Sequence, residues 1–152
     1  MISQVKHNCA LVANVGVFMK MSSKARYGLY VAVELAKRYS ECDVVPVCVL
    51  AQSTGVTEKY LEQIIALMKK ENIVISSRGA SGGYKLADNP QNVTVGQVLR
   101  AVEDNLEIVD CLHKNCSNKC NCVSRNLWAK LYENINNYLD TISLQQLSED
   151  NL

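Results

Sequence analysis

Thr57-Glu58-Lys59-Tyr60-Leu61-Glu62-Gln63-Ile64-Ile65-Ala66-Leu67-Met68-Lys69-Lys70-Glu71 is the stretch on which the fold turns. Tyr60, Leu61, Ile64, Ile65 and Met68 recur at helical spacing and predict one buried stripe on a helix over 58–71. Lys59, Glu62, Gln63 and Ala66 fall on the opposite face. A merely solvated face would carry paired Lys and Glu along its length. This one sets Glu62 and Gln63 early, where a helix entering a major groove meets base edges.

The flanks support that reading. Upstream, Val47–Ser53 predicts a brief helix ended by Gly55, and Thr57 is placed to cap the next one. Two helices split by a few residues around a glycine make a helix-turn-helix. Further upstream, Lys24–Tyr39 predicts a helix from the repeat of Tyr27, Val31 and Leu35, with Ser22 or Ser23 as its cap. Downstream, the β-branched run Ile73–Ser77 and the segment Gly82–Leu86 predict a hairpin. Its turn, Arg78-Gly79-Ala80-Ser81, places Arg78 at the tip of a wing, where a guanidinium suits the negative potential of a minor groove.

Thr94-Val95-Gly96-Gln97 has the form of a capping box and predicts a helix ending near Glu103. A last long helix is predicted from Val123 to about Ile142, where Trp128, Leu131, Ile135, Tyr138 and Ile142 form a narrow seam at coiled-coil spacing. Self-association through that seam gives a homodimer, which would present two recognition helices to a near-palindromic operator. The fold class expected is mainly α with a small β-hairpin wing: a winged helix-turn-helix followed by a dimerisation helix. Three regions follow: residues 1–18 as a leader or upstream-start extension, 19–90 as the DNA-binding region, and 91–152 as the capping-box helix, cysteine loop and dimer helix.

Composition is that of a globular protein, 48% hydrophobic and 20% charged. The net charge of +1 conceals a split: residues 19–88 hold ten Lys/Arg against seven Asp/Glu, and residues 89–152 hold five against eight. The basic half is the one read as facing nucleic acid. The apolar run Cys9–Met19 is too short to span a bilayer, so no membrane partner is expected. With two histidines, His7 and His113, and no Cys-x-x-Cys at a helix start, no catalytic constellation is evident, and the chain is not read as an enzyme.

Seven cysteines are many for this length, and four of them crowd into Cys111-Leu-His-Lys-Asn-Cys116-Ser-Asn-Lys-Cys120-Asn-Cys122. Such clustering without an export signal points to metal or redox chemistry in a reducing cytoplasm rather than a disulfide framework. Iron–sulfur clusters take thiolates as their main ligands. Structural zinc usually takes paired Cys-x-x-Cys knuckles, which are missing. Cluster, zinc and bare thiol remain open at this point.

Ser23-Lys24-Ala25-Arg26-Tyr27-Gly28-Leu29, Tyr60-Leu61-Glu62-Gln63 and Arg78–Leu86 together resemble signature segments of the Rrf-two family of bacterial winged-helix regulators, over Met19 to about Glu149. The resemblance implies DNA binding, with Lys24 and Arg26 on phosphates, Lys59, Glu62 and Gln63 in the major groove, and Arg78 in the minor groove. It also implies that residues 1–18 lie ahead of the family's usual start. In IscR-like members three loop cysteines hold a 2Fe–2S cluster; Cys111, Cys116 and Cys122 match them. A histidine follows the third by three positions in those members, and here that position is Arg125, which stays protonated and cannot ligate. In NsrR-like members an aspartate near the start of the first helix serves instead, and here that position is Arg26. The resemblance therefore leaves the fourth ligand open, with Cys120 the first choice and His113 or an exogenous group as alternatives; a 4Fe–4S cluster is the other nuclearity. CymR-like members lack the cluster cysteines. The expected function is an operator-binding repressor or dual regulator tuned by the cluster, in iron–sulfur biogenesis or a redox or iron response. The alternative is a cluster-free thiol- or zinc-bearing regulator, for example of cysteine metabolism.

Overall fold

Ser22 opens the first helix, its hydroxyl accepting from the Ala25 N–H at 3.1 Å, and α1 runs Ser23–Lys37. A computed structural model describes residues 21–40, 44–79, 82–103, 106, 108–109, 112 and 122–150. In α1 the face made of Ala25, Gly28, Val31, Ala32, Leu35 and Ala36 is buried, a stripe of small and branched residues that lets neighbouring helices approach closely. A Cβ on Gly28 would lie 3.0 Å from a Val102 methyl, so the missing side chain sets the spacing to a later helix.

Helix α2, Val47–Thr54, ends as expected at Gly55, whose φ of 68° is the left-handed conformation a C-cap uses. Helix α3 is Glu58–Lys70, with Leu61, Ile64, Ile65 and Met68 buried and Tyr60 half-buried. Thr57 occupies its N-cap position, but its side chain makes no capping hydrogen bond; the two helices are joined by packing and by the glycine turn instead.

Strands β1, Val74–Ser77, and β2, Gly83–Leu86, pair antiparallel with Val74 opposite Leu86 and Ser77 opposite Gly83. Val45 adds a third rung: its N–H donates to Tyr84 O at 2.8 Å, and the Tyr84 N–H donates to Val45 O at 2.9 Å. The segment just before α2 therefore anchors the wing to the helix-turn-helix.

Helix α4, Val95–Val102, starts with a complete Thr94/Gln97 capping box and ends at Glu103, whose carboxylate accepts from the Ser22 hydroxyl. Helix α5 is Arg125–Thr141 and packs on the domain through α4. A final short helix, α6 (Leu144–Ser148), has its own Ser143/Gln146 capping box and lies against α1. The core joins α1, α3, the base of the wing and α4, closed by Leu144 of α6. Each large side chain buried there contributes on the order of 1.5–3 kcal/mol. Among the described residues, no helix is long and apolar enough to cross a membrane.

Candidate functional site

The buried stripe of α3 dictates what the helix shows to solvent. With Leu61, Ile64, Ile65 and Met68 turned inward, Lys59, Glu62, Gln63 and Ala66 are all exposed on the opposite face. The N-terminal half of α3 thus offers a cation, a carboxylate and an amide in one row. That set can meet a phosphate or guanine, accept from a cytosine amino group, and pair in bidentate fashion with adenine.

The wing stands beside this row. Arg78 follows β1 and is exposed, and Gly79 next to it has φ +123°, a conformation L side chains rarely adopt. Ala80 and Ser81 of the turn lie outside the described residues. A Cβ on Gly82 would lie 2.7 Å from Ser77 O and 2.9 Å from Gly79 O, so only glycine lets the turn close this tightly. Two side-chain links tie the wing to α3. Lys69 Nζ donates to Ser76 Oγ at 2.7 Å. The Tyr84 phenol is held above its ordinary range, first by burial and then by the Glu62 carboxylate. Helix α3 and the wing are therefore electrostatically and geometrically coupled.

Aromatic stacking brings α1 into the same surface. Arg26 lies over the Tyr27 ring at 5.5 Å, and Tyr27 meets Tyr60 of α3 edge-on at 6.1 Å. Arg26 is exposed and Lys24 half-buried, so both remain available to an anionic backbone. The spacing of Tyr27 marked it as a core residue; its second task, carrying Arg26 beside α3, depends on a contact between helices that no local pattern reports.

Cys111, His113, Cys116 and Cys120 lie outside the described residues. Cys122 is half-exposed just before α5, with Sγ 3.6 Å from Ser124 Oγ. The Ser124 hydroxyl, then its backbone N–H, hold the Cys122 thiol below its ordinary range, with smaller help from Arg125. A thiol biased toward thiolate fits ligation of a metal or cluster. Arg125 takes up a structural post: Nη2 donates to Leu112 O at 3.1 Å, bridging the two ends of the cysteine segment. Among the described residues no group of three or more potential metal ligands gathers.

Helix α5 buries none of its residues against its own chain. Leu127, Leu131 and Tyr138 are exposed, as is Val123 just ahead of it, while Trp128 and Ile135 are half-buried. Ile142 departs from the expected seam. The helix ends at Thr141, Ile142 is extended with φ −97° and ψ 114°, and its side chain packs on the core of its own chain. Trp128, Leu131, Ile135 and Tyr138 thus form the seam that remains on the helix.

The sequence profile of Rrf2, described as an iron-dependent transcriptional regulator, matches residues 21–150. The HTH-type transcriptional regulator IscR of Aliivibrio salmonicida is 34% identical over 134 residues, covering 88% of this chain and 79% of that protein. Among solved structures, CymR, the global cysteine regulator of B. subtilis, matches with a TM-score of 0.71 at 32% identity, covering 87% of this chain and 98% of that one. T. potens IscR matches with a TM-score of 0.69 at 34% identity, covering 86% and 87%.

Proposed function

Because this chain belongs to the Rrf2 family of transcriptional regulators, we propose that it is a homodimeric operator-binding regulator, a repressor or dual regulator, whose DNA affinity is tuned by an iron–sulfur cluster. The observation that carries the DNA half is the exposed row Lys59, Glu62 and Gln63 on α3, with Arg78 exposed on the wing that is linked to the same helix. The row reads base edges in the major groove, Arg78 enters the minor groove, and Lys24 and Arg26 grip phosphates.

The exposed seam of α5 supports the dimer. Two copies packed along Trp128, Leu131, Ile135 and Tyr138 would remove this stripe from water. They would also present two α3 helices to half-sites about one helical turn apart, roughly 34–36 Å. That geometry is what a near-palindromic operator requires.

Cys111, Cys116 and Cys122 are the residues that would hold a cluster, with Cys120 or His113 completing the set; the lowered thiol of Cys122 supports this assignment. A bound cluster would supply a redox-active cross-link between the ends of the cysteine segment. Arg125 already ties Leu112 to the start of α5, so ordering of the segment is passed directly to the dimer helix. A bias of a few kcal/mol between two α5 orientations suffices to switch operator occupancy. The family's description as iron-dependent supports a role in iron–sulfur biogenesis or in a redox or iron response.

The likeness to the global cysteine regulator favours a second reading, a cluster-free thiol- or zinc-bearing regulator. Anaerobic purification with a visible spectrum and iron and sulfide assays separates the two, wild type against Cys122→Ala. A coloured wild type and a colourless variant are expected. A colourless, iron-free wild type that takes up only zinc would overturn the cluster assignment. For the DNA half, Arg78→Ala should weaken operator binding and lower the dependence of log affinity on log salt by about one, with self-association intact. Unchanged binding at physiological salt would overturn the wing assignment.

A further inference from the structure

The chain leaves α5 through a narrow backbone joint. Thr94 and Ser143 form an isolated antiparallel bridge, the Val95 N–H donates to Ile142 O at 2.9 Å, and the Leu144 N–H donates to Val93 O at 2.8 Å. A joint of this kind pins one end of a helix without setting the direction in which the helix leaves. Apolar packing constrains it little: no residue of α5 is fully buried, and among its described residues Leu139 alone packs on the core, close to the joint itself. A second, off-axis contact has to do so.

Arg100 of α4 supplies that contact. Its Nη2 donates to Asp140 Oδ1 at 2.5 Å, and its Nη1 donates to Asn136 Oδ1 at 3.2 Å. Asn136 and Asp140 are one turn apart on a single face of α5, so one planar guanidinium grips two points along the axis. The amide of Asn136 is itself oriented, its Nδ2 donating to Tyr132 O at 2.9 Å so that Oδ1 is left to accept. Asp140 sits hard against α4: a Cβ on Gly96 would lie 2.1 Å from Asp140 Oδ1, and the Thr94 hydroxyl donates to the same oxygen at 3.4 Å. The ion pair is substantially solvated, with side chains 40% and 44% exposed, so its importance is geometric rather than a matter of global stability.

We propose that Arg100 is a positioning residue for operator choice: gripping Asn136 and Asp140, it fixes the angle of α5 to the DNA-binding body and so the half-site spacing the dimer accepts. This rests on the homodimer part of the function proposed above. The lever is long enough for the effect. Seventeen residues of α5 span about 25 Å at the helical rise. A tilt of about 10° at the joint moves the far end of such a rod by about 4 Å. That is close to one base step along DNA, about 3.4 Å.

The test uses the full chain and an operator selected by the wild type from a random duplex library, then remade with one base pair added or removed between half-sites. Sedimentation measures the dimer, thermal unfolding measures the fold, and titration measures affinity on each duplex. Arg100→Ala should remain folded and dimeric, while its preference for the selected spacing over the altered ones falls by about three- to tenfold. Asp140→Asn should act in the same direction, and the double variant should do no more than the stronger single. Gly96→Ala, which displaces Asp140 without removing a charge, should reproduce the loss. A dimeric Arg100→Ala with unchanged preference, or with equal loss on all spacings, would overturn the proposal. A monomeric wild type would overturn the homodimer reading and this inference with it.

Discussion

Gly83 offers a test in which the sign of the effect separates two physical accounts. Replacing a strand glycine by alanine ordinarily stabilises by about 0.4–1 kcal/mol, because the unfolded chain loses freedom. Gly83 does not have a positive φ, so alanine fits its backbone conformation. Its surroundings decide otherwise. The new Cβ would lie 2.5 Å from Val45 O, 2.6 Å from Val45 C and 2.9 Å from Pro46 N. All three are backbone atoms, so no rotamer change relieves them. A carbon–oxygen contact relaxes only near 3.3–3.6 Å, so the strands must part by roughly 1 Å. That loosens both hydrogen bonds between Val45 and Tyr84, each with a net contribution of about 0.5–1.5 kcal/mol. A net loss of about 1.3 kcal/mol is the central expectation after the entropic gain. It leaves most of the roughly 5–15 kcal/mol of a typical domain in place. Differential scanning calorimetry of Gly83→Ala should show Tm lowered by roughly 3–5 °C. Operator affinity should drop as well, since the displaced strand carries the wing away from α3. An unchanged or raised Tm would refute the reasoning, showing that the Val45 segment yields freely.

Ile64→Ala removes a side chain that is 1% exposed at the centre of α3 and should lower unfolding free energy by about 2–5 kcal/mol in urea titration; a change under about 1 kcal/mol would mean the site collapses around the loss. The Tyr84 phenol, held up first by burial and then by Glu62, should titrate by ultraviolet absorbance above the usual value near 10. A raised folded-state pKa contributes stability that is fully present below the unfolded value and lost as pH rises through the folded one, so the fold should weaken in strong alkali. Glu62→Gln should lower the Tyr84 midpoint only part of the way, because burial is the larger cause; complete reversal would contradict that order. The Cys122 thiol, lowered chiefly by the Ser124 hydroxyl, should be alkylated in the metal-free protein at lower pH than an ordinary thiol. Ser124→Ala should move that profile upward. For this depressed group the linked stability is present above the unfolded pKa and fades as pH falls through the folded one; a profile unmoved by Ser124→Ala would deny the hydrogen bond its role.

Legibility followed the range of the interaction. Helix α3 was readable to within a residue, and its exposed row with it, because a helix repeats its burial every turn in the local sequence. Gly55 and the Thr94/Gln97 box were readable because capping is chemistry within four residues. Helix α6 was overlooked, although Ser143 and Gln146 repeat the same box; five residues are too few to show a period. Ile142 was placed on the α5 seam by its spacing, and the extended backbone after Thr141 turned it to the core instead.

By itself, then, the sequence determined the helix-turn-helix, the wing, the exposed residues of α3 and the family the chain resembles, all of which arise from neighbours along the chain. Only the tertiary structure decided that Val45 pairs with Tyr84, that Arg26 rides on Tyr27 beside Tyr60, that Arg125 reaches Leu112, and that Arg100 grips α5. Each of these joins residues or elements that packing alone brings together. An arginine on an exposed helix face carries the same local signal whether it points to water or holds a lever. Its partner is chosen by where the core sets the second helix.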